Sequence, residues 1–201
     1  MVLVGVFAIA GISRADWYGE VWPGLDAYAY NTALQPSVPP DYSGSYATFV
    51  VPQLNFGSST AKTYNDWLGI SSYTYSQGGF NGAALIDTAS GFEGTLFRFT
   101  GWVNLDAGNN TFAITHDDGV SVWIPQLGYA DTSHALPTVE RTDSFTVNAA
   151  TAGSYKLVLQ YGASNGFPEV LRTNIQAPEP MGMLLLGLGL VGLAGVRRFK
   201  K

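Results

Sequence analysis

From Phe97 onward the chain alternates apolar and polar side chains with a period of two. The run "FRFTGWVNL" sets Phe97, Phe99, Val103 and Leu105 on one face and Arg98, Thr100, Trp102 and Asn104 on the other, the signature of a half-buried strand. "DAGNN" then reads as a turn. "TFAIT" places Phe112 and Ile114 inward, "HDDG" interrupts, and "VSVWI" resumes with Val120, Val122 and Ile124 on one side, which predicts a hairpin with an acidic tip. Beyond it, Phe145 and Val147 mark another strand and Ala152-Gly153 a turn, after which Tyr155, Leu157, Leu159 and Tyr161 alternate. "ASNGFP" is a loop, and a closing strand runs from Val170 to Ile175.

The first half is less regular. "YATFVVP" predicts a strand over Tyr46 to Pro52 and "AALI" a short one over Ala83 to Ile86, while "QPSVPPDYSG" and "SSYTYSQGGFNG" read as loops. There is no internal repeat and no helix of useful length before the tail. Short strands separated by Gly, Asn and Pro turns predict an all-β fold, an antiparallel, jelly-roll-like β-sandwich over residues 16–176. The composition agrees: 24 Gly, 10 Pro, 11 Tyr, 11 Phe and only 12 % charged residues in a chain of 201 suit many strands and tight turns in one domain.

Charge narrows the function. Ten Lys and Arg face fifteen Asp and Glu, but five of the basic residues lie at the ends, Arg14 near the start and Arg197, Arg198, Lys200 and Lys201 at the finish. Residues 16–180 therefore carry five basic and all fifteen acidic side chains, a net charge of −10. That excludes a phosphate-binding surface, which needs a clustered basic footprint, and favours cations. Cysteine is absent, so disulfides and thiolate metal sites are excluded.

The ends read as addresses. An apolar run from Val2 to Ile12 followed by Ser13-Arg14-Ala15 has the order of a signal peptide over residues 1–15, without the usual positive start, and places the mature start at Asp16. At the other end, Met181 to Val196 contains no charge and precedes four basic residues within five positions. This hydrophobic helix falls short of the ~20 residues that cross a bilayer core without strain. The basic cluster would stay cytoplasmic and hold the upstream domain outside. Pro178-Glu179-Pro180, the glycine-rich hydrophobic segment and the Arg197-Arg198 cluster together resemble the PEP-CTERM sorting signal of Gram-negative bacteria that make exopolysaccharide. The resemblance covers residues 177–201. It implies an exosortase-type processing enzyme as partner, a precursor anchored in the inner membrane by its transmembrane helix, and a mature protein at the cell surface or in the extracellular matrix, as in a biofilm. An ordinary tail anchor would be longer and less rich in Gly.

The progression "FTG", "GNNTF" and "DDG" between Phe97 and Ile124, followed by "GSYKLVLQYGASNGFPEVL", resembles the protective-antigen-type β-sandwich domain also found in yeast flocculins and epithelial adhesins. In that family the domain binds carbohydrate in many adhesins and is a non-catalytic accessory module in many enzymes. The resemblance implies a calcium ion held by Asp117, Asp118 and Asn165, with sugar hydroxyls completing its coordination. The carbohydrate-binding residues are then Asp117, Asp118, Asn165 and Phe167. Calcium suits hard oxygen donors in irregular loops, yet adjacent residues of an extended chain point to opposite faces, so two neighbouring carboxylates do not converge without a special backbone. Asp-Asp-Gly is also a common hairpin tip with no ligand at all.

His116 and His134 lack any metal-binding spacing and read as ordinary strand-end or surface histidines. Trp123 and Tyr129 lie near the tip in sequence, although Trp123 sits within a strand and suits packing. No G-x-S-x-G, H-E-x-x-H or phosphate-cradling glycine motif occurs, so the chain reads as no enzyme. The sequence thus predicts an exported carbohydrate binder acting through calcium in an exopolysaccharide matrix. The alternative is a structural matrix or spacer protein with no defined small ligand.

Overall fold

The computed structural model describes residues 16–23, 47–58, 63–69, 74–75, 94–136, 138–163 and 168–175. The segments expected to be a signal peptide (1–15) and a sorting signal (177–201, with Pro178, Glu179, Pro180, Arg197 and Arg198), the strand expected at 83–86, and the residues Asn165 and Phe167 lie outside them.

The described chain is an all-β sandwich of two antiparallel sheets. In chain order its elements are β1 (Trp17–Pro23), β2 (Ala47–Val51), β3 (Asn55–Ser58), helix α1 (Tyr64–Leu68), β4 (Thr74–Tyr75), β5 (Thr95–Leu105), β6 (Gly108–His116), β7 (Gly119–Ile124), a 3-10 turn (Pro125–Leu127), β8 (Tyr129–Asp131), β9 (Arg141–Ala149), β10 (Gly153–Ala163) and β11 (Glu169–Thr173). One sheet has seven strands in the order β4-β2-β1-β5-β10-β7-β8; the other has four, β3-β11-β6-β9.

The period-two pattern of β5 is realised: Phe97, Phe99, Val103 and Leu105 are buried, Arg98 and Thr100 half-buried, Trp102 and Asn104 exposed. The expected hairpin is not. β6 pairs with β9 and β11 in the smaller sheet, whereas β7 pairs with β10 and β8 in the larger. The chain through Asp117-Asp118 is therefore an arch from one sheet to the other. Alternation says which face a residue takes, and that face is the same in a hairpin and in an arch; strand partners follow from where the buried rows meet. Phe112 and Ile114 of β6 face across the core toward Val120, Val122 and Ile124 of β7, and all five are buried in one cluster.

The turn predicted at "DAGNN" is another arch, tied by a single side chain. Asn110 accepts the Asp106 N–H through Oδ1 (2.9 Å) and donates through Nδ2 to the carbonyls of Asp106 (2.9 Å) and Gly108 (3.1 Å). Among the described residues one α-helix interrupts the sheets. Thr63 caps the N-terminus of α1 by accepting the Asp66 N–H, and Gly69 ends it at φ 64°. Its Trp67 bridges the sandwich: the ring stacks on Tyr161 (centroids 5.6 Å apart) and packs on Phe97 and Phe56, while Nε1–H donates to the Glu169 carbonyl (2.9 Å). No described helix is long and apolar enough to cross a membrane.

Candidate functional site

The arch between β6 and β7 gathers more buried charge than any strand of the sandwich. β6 carries its inward row, Phe112 and Ile114, on to His116, which is fully buried. The Asp117 N–H donates to the Val170 carbonyl (3.0 Å), so the chain stays attached to β11 up to the point of crossing. Asp118 then turns it with φ 73°, the one positive φ at a non-glycine residue among the described residues. Asp tolerates this conformation better than most residues.

Gly119 does not supply the turn geometry. A Cβ there would run into the carbonyl of Ala135, because the neighbouring Val120 N–H donates to the His134 carbonyl (2.8 Å) and draws the two backbones together. The Asp-Asp-Gly sequence is thus a crossing point pressed against a second chain segment, and its acidic side chains are inside: Asp117 is 4 % and Asp118 0 % exposed.

Other acids surround them. Glu169, at the head of β11, is fully buried and in phase with the inward Leu171; its Oε2 accepts from the Tyr161 hydroxyl (2.6 Å). Burial first, then the charges of Glu169, Asp118 and Asp117, hold the Tyr161 phenol well above its ordinary range, which places all three carboxylates within electrostatic reach of one ring. For Asp117, burial and the charges of Asp118 and Glu140 raise the pKa from 3.8 to about 6, against the opposing effect of hydrogen bonds from the Asp118 and Glu140 backbone.

Histidine stabilises the arch from behind. His116 Nδ1 donates to the Asp118 carbonyl (2.6 Å), and Nε2 lies 2.9 Å from Asp143 Oδ2. Asp143 also accepts from Arg141 Nε (2.6 Å) and lies 2.9 Å from His134 Nδ1. Burial pushes the Asp143 carboxyl up, but hydrogen bonds from His116 and Arg141 and the nearby positive charge outweigh it and hold the carboxyl below its usual range. His116 ends strand β6, as the strand-end reading has it, but it is fully buried rather than exposed, and His134 is half-buried. The available signal was phase: His116 is the next inward position after Phe112 and Ile114.

The aromatic residues near Asp117 in sequence lie elsewhere. Trp123 is fully buried against Val158 and Ala130, and Tyr129 pairs with Ile124 at the far end of β7. Among the described residues no set of three or more His, Asp or Glu side chains has metal-holding geometry, so Asp117 and Asp118 do not complete a coordination sphere with described side chains alone. Asn165 and Phe167 belong to the segment between β10 and β11, both flanks of which border the arch: Gly162 pairs with Gly119, and Val170 accepts from Asp117. The donors at the arch are hard oxygens, which fits calcium and disfavours softer metals.

Neither a scan against protein-family models nor a search of curated proteins gives a match. Among solved structures, the chain is similar to the PA14 domain of the antifreeze protein MpAFP, with 19 % identity, 83 % of this chain and 84 % of that one covered, and a TM-score of 0.52; the two share a fold. A PA14 sugar-binding domain from an RTX adhesin aligns at 16 % identity over 82 % of this chain and 91 % of that one, TM-score 0.45. The β-glucosidase of Kluyveromyces marxianus, in complex with glucose, aligns at 11 % identity over 81 % of this chain and 16 % of that one, TM-score 0.42.

Proposed function

We propose that this chain is an exported, non-catalytic β-sandwich that binds carbohydrate through a calcium ion at the β6–β7 arch. The observation that carries the reading is the burial of two consecutive carboxylates, Asp117 and Asp118, beside Glu169 and Glu140. Ionised groups so placed are costly unless a cation compensates them. Asp117 and Asp118 would hold the ion, Asn165 would add an oxygen from the β10–β11 segment, and Phe167 would offer an apolar surface to a sugar ring. A bound calcium takes six to eight oxygens, more than these side chains provide, and so leaves positions for vicinal hydroxyls.

The domain arrangement we propose is a signal peptide over 1–15, the sandwich over 16–176 and a PEP-CTERM sorting signal over 177–201. An exosortase-type enzyme would process the precursor at the inner membrane of a Gram-negative bacterium, and the product would act at the cell surface or in the exopolysaccharide matrix. Calorimetric titration of the purified protein with calcium at pH 7, followed by a glycan array with and without chelator, tests the binding. Uptake of calcium together with chelator-sensitive glycan retention supports it. No uptake at millimolar calcium with flat glycan signals would leave a structural matrix or spacer protein.

A further inference from the structure

The outer face of the seven-stranded sheet carries a second feature, remote from the arch in chemistry and independent of any metal. Tyr18 and Glu20 of β1, Arg98 and Thr100 of β5, and Lys156 and Val158 of β10 line a shallow groove of about 280 Å³. Register explains the grouping: Tyr18, Thr100 and Val158 lie in one row across three strands, Glu20 faces Arg98, and Lys156 faces Trp102. Two large aromatic side chains stand exposed here, Trp102 at 52 % and Tyr18 at 45 %. They are diagonal neighbours on adjacent strands, a spacing of about 7–8 Å: Tyr18 lines the groove opposite Thr100, and Trp102 stands two residues beyond Thr100 on the same face of β5.

The polar groups are arranged unequally. Arg98 is fixed in place, its Nε donating to Glu20 Oε2 (2.7 Å) and its guanidinium carbon 5.0 Å from the centre of the Trp22 ring. Lys156 is different. Arg98, Arg141 and Arg172 each pair with a carboxylate; Lys156 is the one cation without such a partner among the described residues, within residues 16–180, whose net charge is −10. An exposed aromatic pair beside an uncompensated ammonium suits a ligand with flat apolar faces and sparse negative charge.

We propose that this groove binds an acidic polysaccharide, one carboxylate per ring, with sugar faces laid on Trp102 and Tyr18 and a uronate carboxylate on Lys156. Nucleic acid also combines flat rings with anions, but duplex DNA carries a charge every ~1.7 Å and needs many cations. Two basic side chains, one already paired, match the lower charge density of a polyuronate. The volume, just below the lower end of the usual range for small-ligand sites of about 300 Å³, suits one or two rings of a chain that continues along the open sheet face.

The test uses the full chain, oligogalacturonate as probe, and excess chelator throughout, so that calcium plays no part. Binding followed by calorimetry and tryptophan fluorescence should persist in the Asp117→Asn variant, which disables the arch. It should weaken at least tenfold in Trp102→Ala and in Lys156→Glu, about fivefold in Lys156→Gln, and at least fivefold when the probe is methyl-esterified. Both side chains are exposed, so melting temperatures should stay within a few degrees of the parent. Equal binding by all variants, no binding by the parent chain, equal competition by single-stranded DNA, or a concentration-dependent dimer abolished by Trp102→Ala without glycan binding would each overturn the proposal.

Discussion

His116 Nδ1 donates to the carbonyl oxygen of Asp118 across 2.6 Å, so a fully buried imidazole holds the residue that turns the chain from one sheet into the other. The opposite edge of the same ring is bound to Asp143 on β9. The arch is thereby tied to the smaller sheet by a side chain after its backbone has left it. Replacing His116 with Ala removes both bonds and leaves the Asp118 carbonyl without this donor. A loss of roughly 2–4 kcal/mol in chemical denaturation follows from about 1–3 kcal/mol per buried group that loses its partner. Calcium affinity should fall in parallel, measured in the folded fraction by calorimetry.

Asp117 makes stability depend on pH in an unusual direction. Its carboxyl titrates at about 6 in the folded chain against an ordinary 3.8, so between those values the folded state holds a proton that the unfolded state has lost. Stability without calcium should therefore fall as pH rises from about 4 to about 6, by about 3 kcal/mol at most. Asp143 acts oppositely: its carboxyl lies below its ordinary range, so its contribution is present above the unfolded value and lost as pH falls further. Melting temperatures across pH should peak near pH 4, decline up to about pH 6 and level off above it. Asp117→Asn should abolish that decline and melt higher than the parent at pH 7 without calcium.

Calcium should reverse the same decline. It binds the ionised carboxylate, so affinity should drop about tenfold per pH unit below about 6 and level off above, the proton and the ion competing for Asp117. Adding millimolar calcium should raise the melting temperature at pH 7 and leave it unchanged near pH 4. An equal shift at both values would exclude Asp117 as a ligand.

Gly119 should tolerate no side chain. A methyl group there meets the Ala135 carbonyl, a backbone atom that cannot rotate away, so Gly119→Ala should cost about 1–3 kcal/mol. Gly128, with φ 60° and no atom near a built Cβ, provides the contrast: Ala there meets only backbone strain, at about 1 kcal/mol.

Tyr161→Phe tests the buried acid on β11. The hydroxyl it removes is a donor to Glu169 Oε2, and its loss should destabilise by about 1–3 kcal/mol while leaving the ring stacked on Trp67. Denaturation midpoints of Tyr161→Phe, alone and in a Glu169→Gln background, isolate the pair: the loss should be smaller once the carboxylate is gone.

What the sequence disclosed was largely a matter of phase. The faces of β5 and β6 follow from alternation, because burial on one side leaves a period of two whatever the strand pairs with; β10 keeps the inward row Leu157, Leu159 and Tyr161, but its other face is buried as well from Leu157 to Ala163. Partners were not legible: the residues after His116 look the same whether the chain folds back on its own sheet or crosses to the other, and the difference lies in contacts far along the chain, such as Gly119 with Gly162. The same applies to Asp143 and Glu169, which gain their roles from residues more than a strand away. Helix α1 had its caps written out, Thr63 before it and Gly69 after it, but five residues are too few for a hydrophobic period to emerge.

Crossing from sheet to sheet at seven of the ten connections between consecutive described strands also governs how such a chain can assemble. The central pairing joins Thr95 to Ala163 and Leu105 to Gly153, so β5, already paired with β1 on one edge, waits for β10 on the other, and β6 finds its neighbours only when β9 and β11 arrive. A polypeptide delivered N-terminus first, from a ribosome or a translocation pore, can pair its first strands but has no smaller sheet to cover their inner face until β6, β9 and β11 have arrived. It stays threadable until nearly the last strand is through and then closes as one unit, with the slow kinetics of distant contacts.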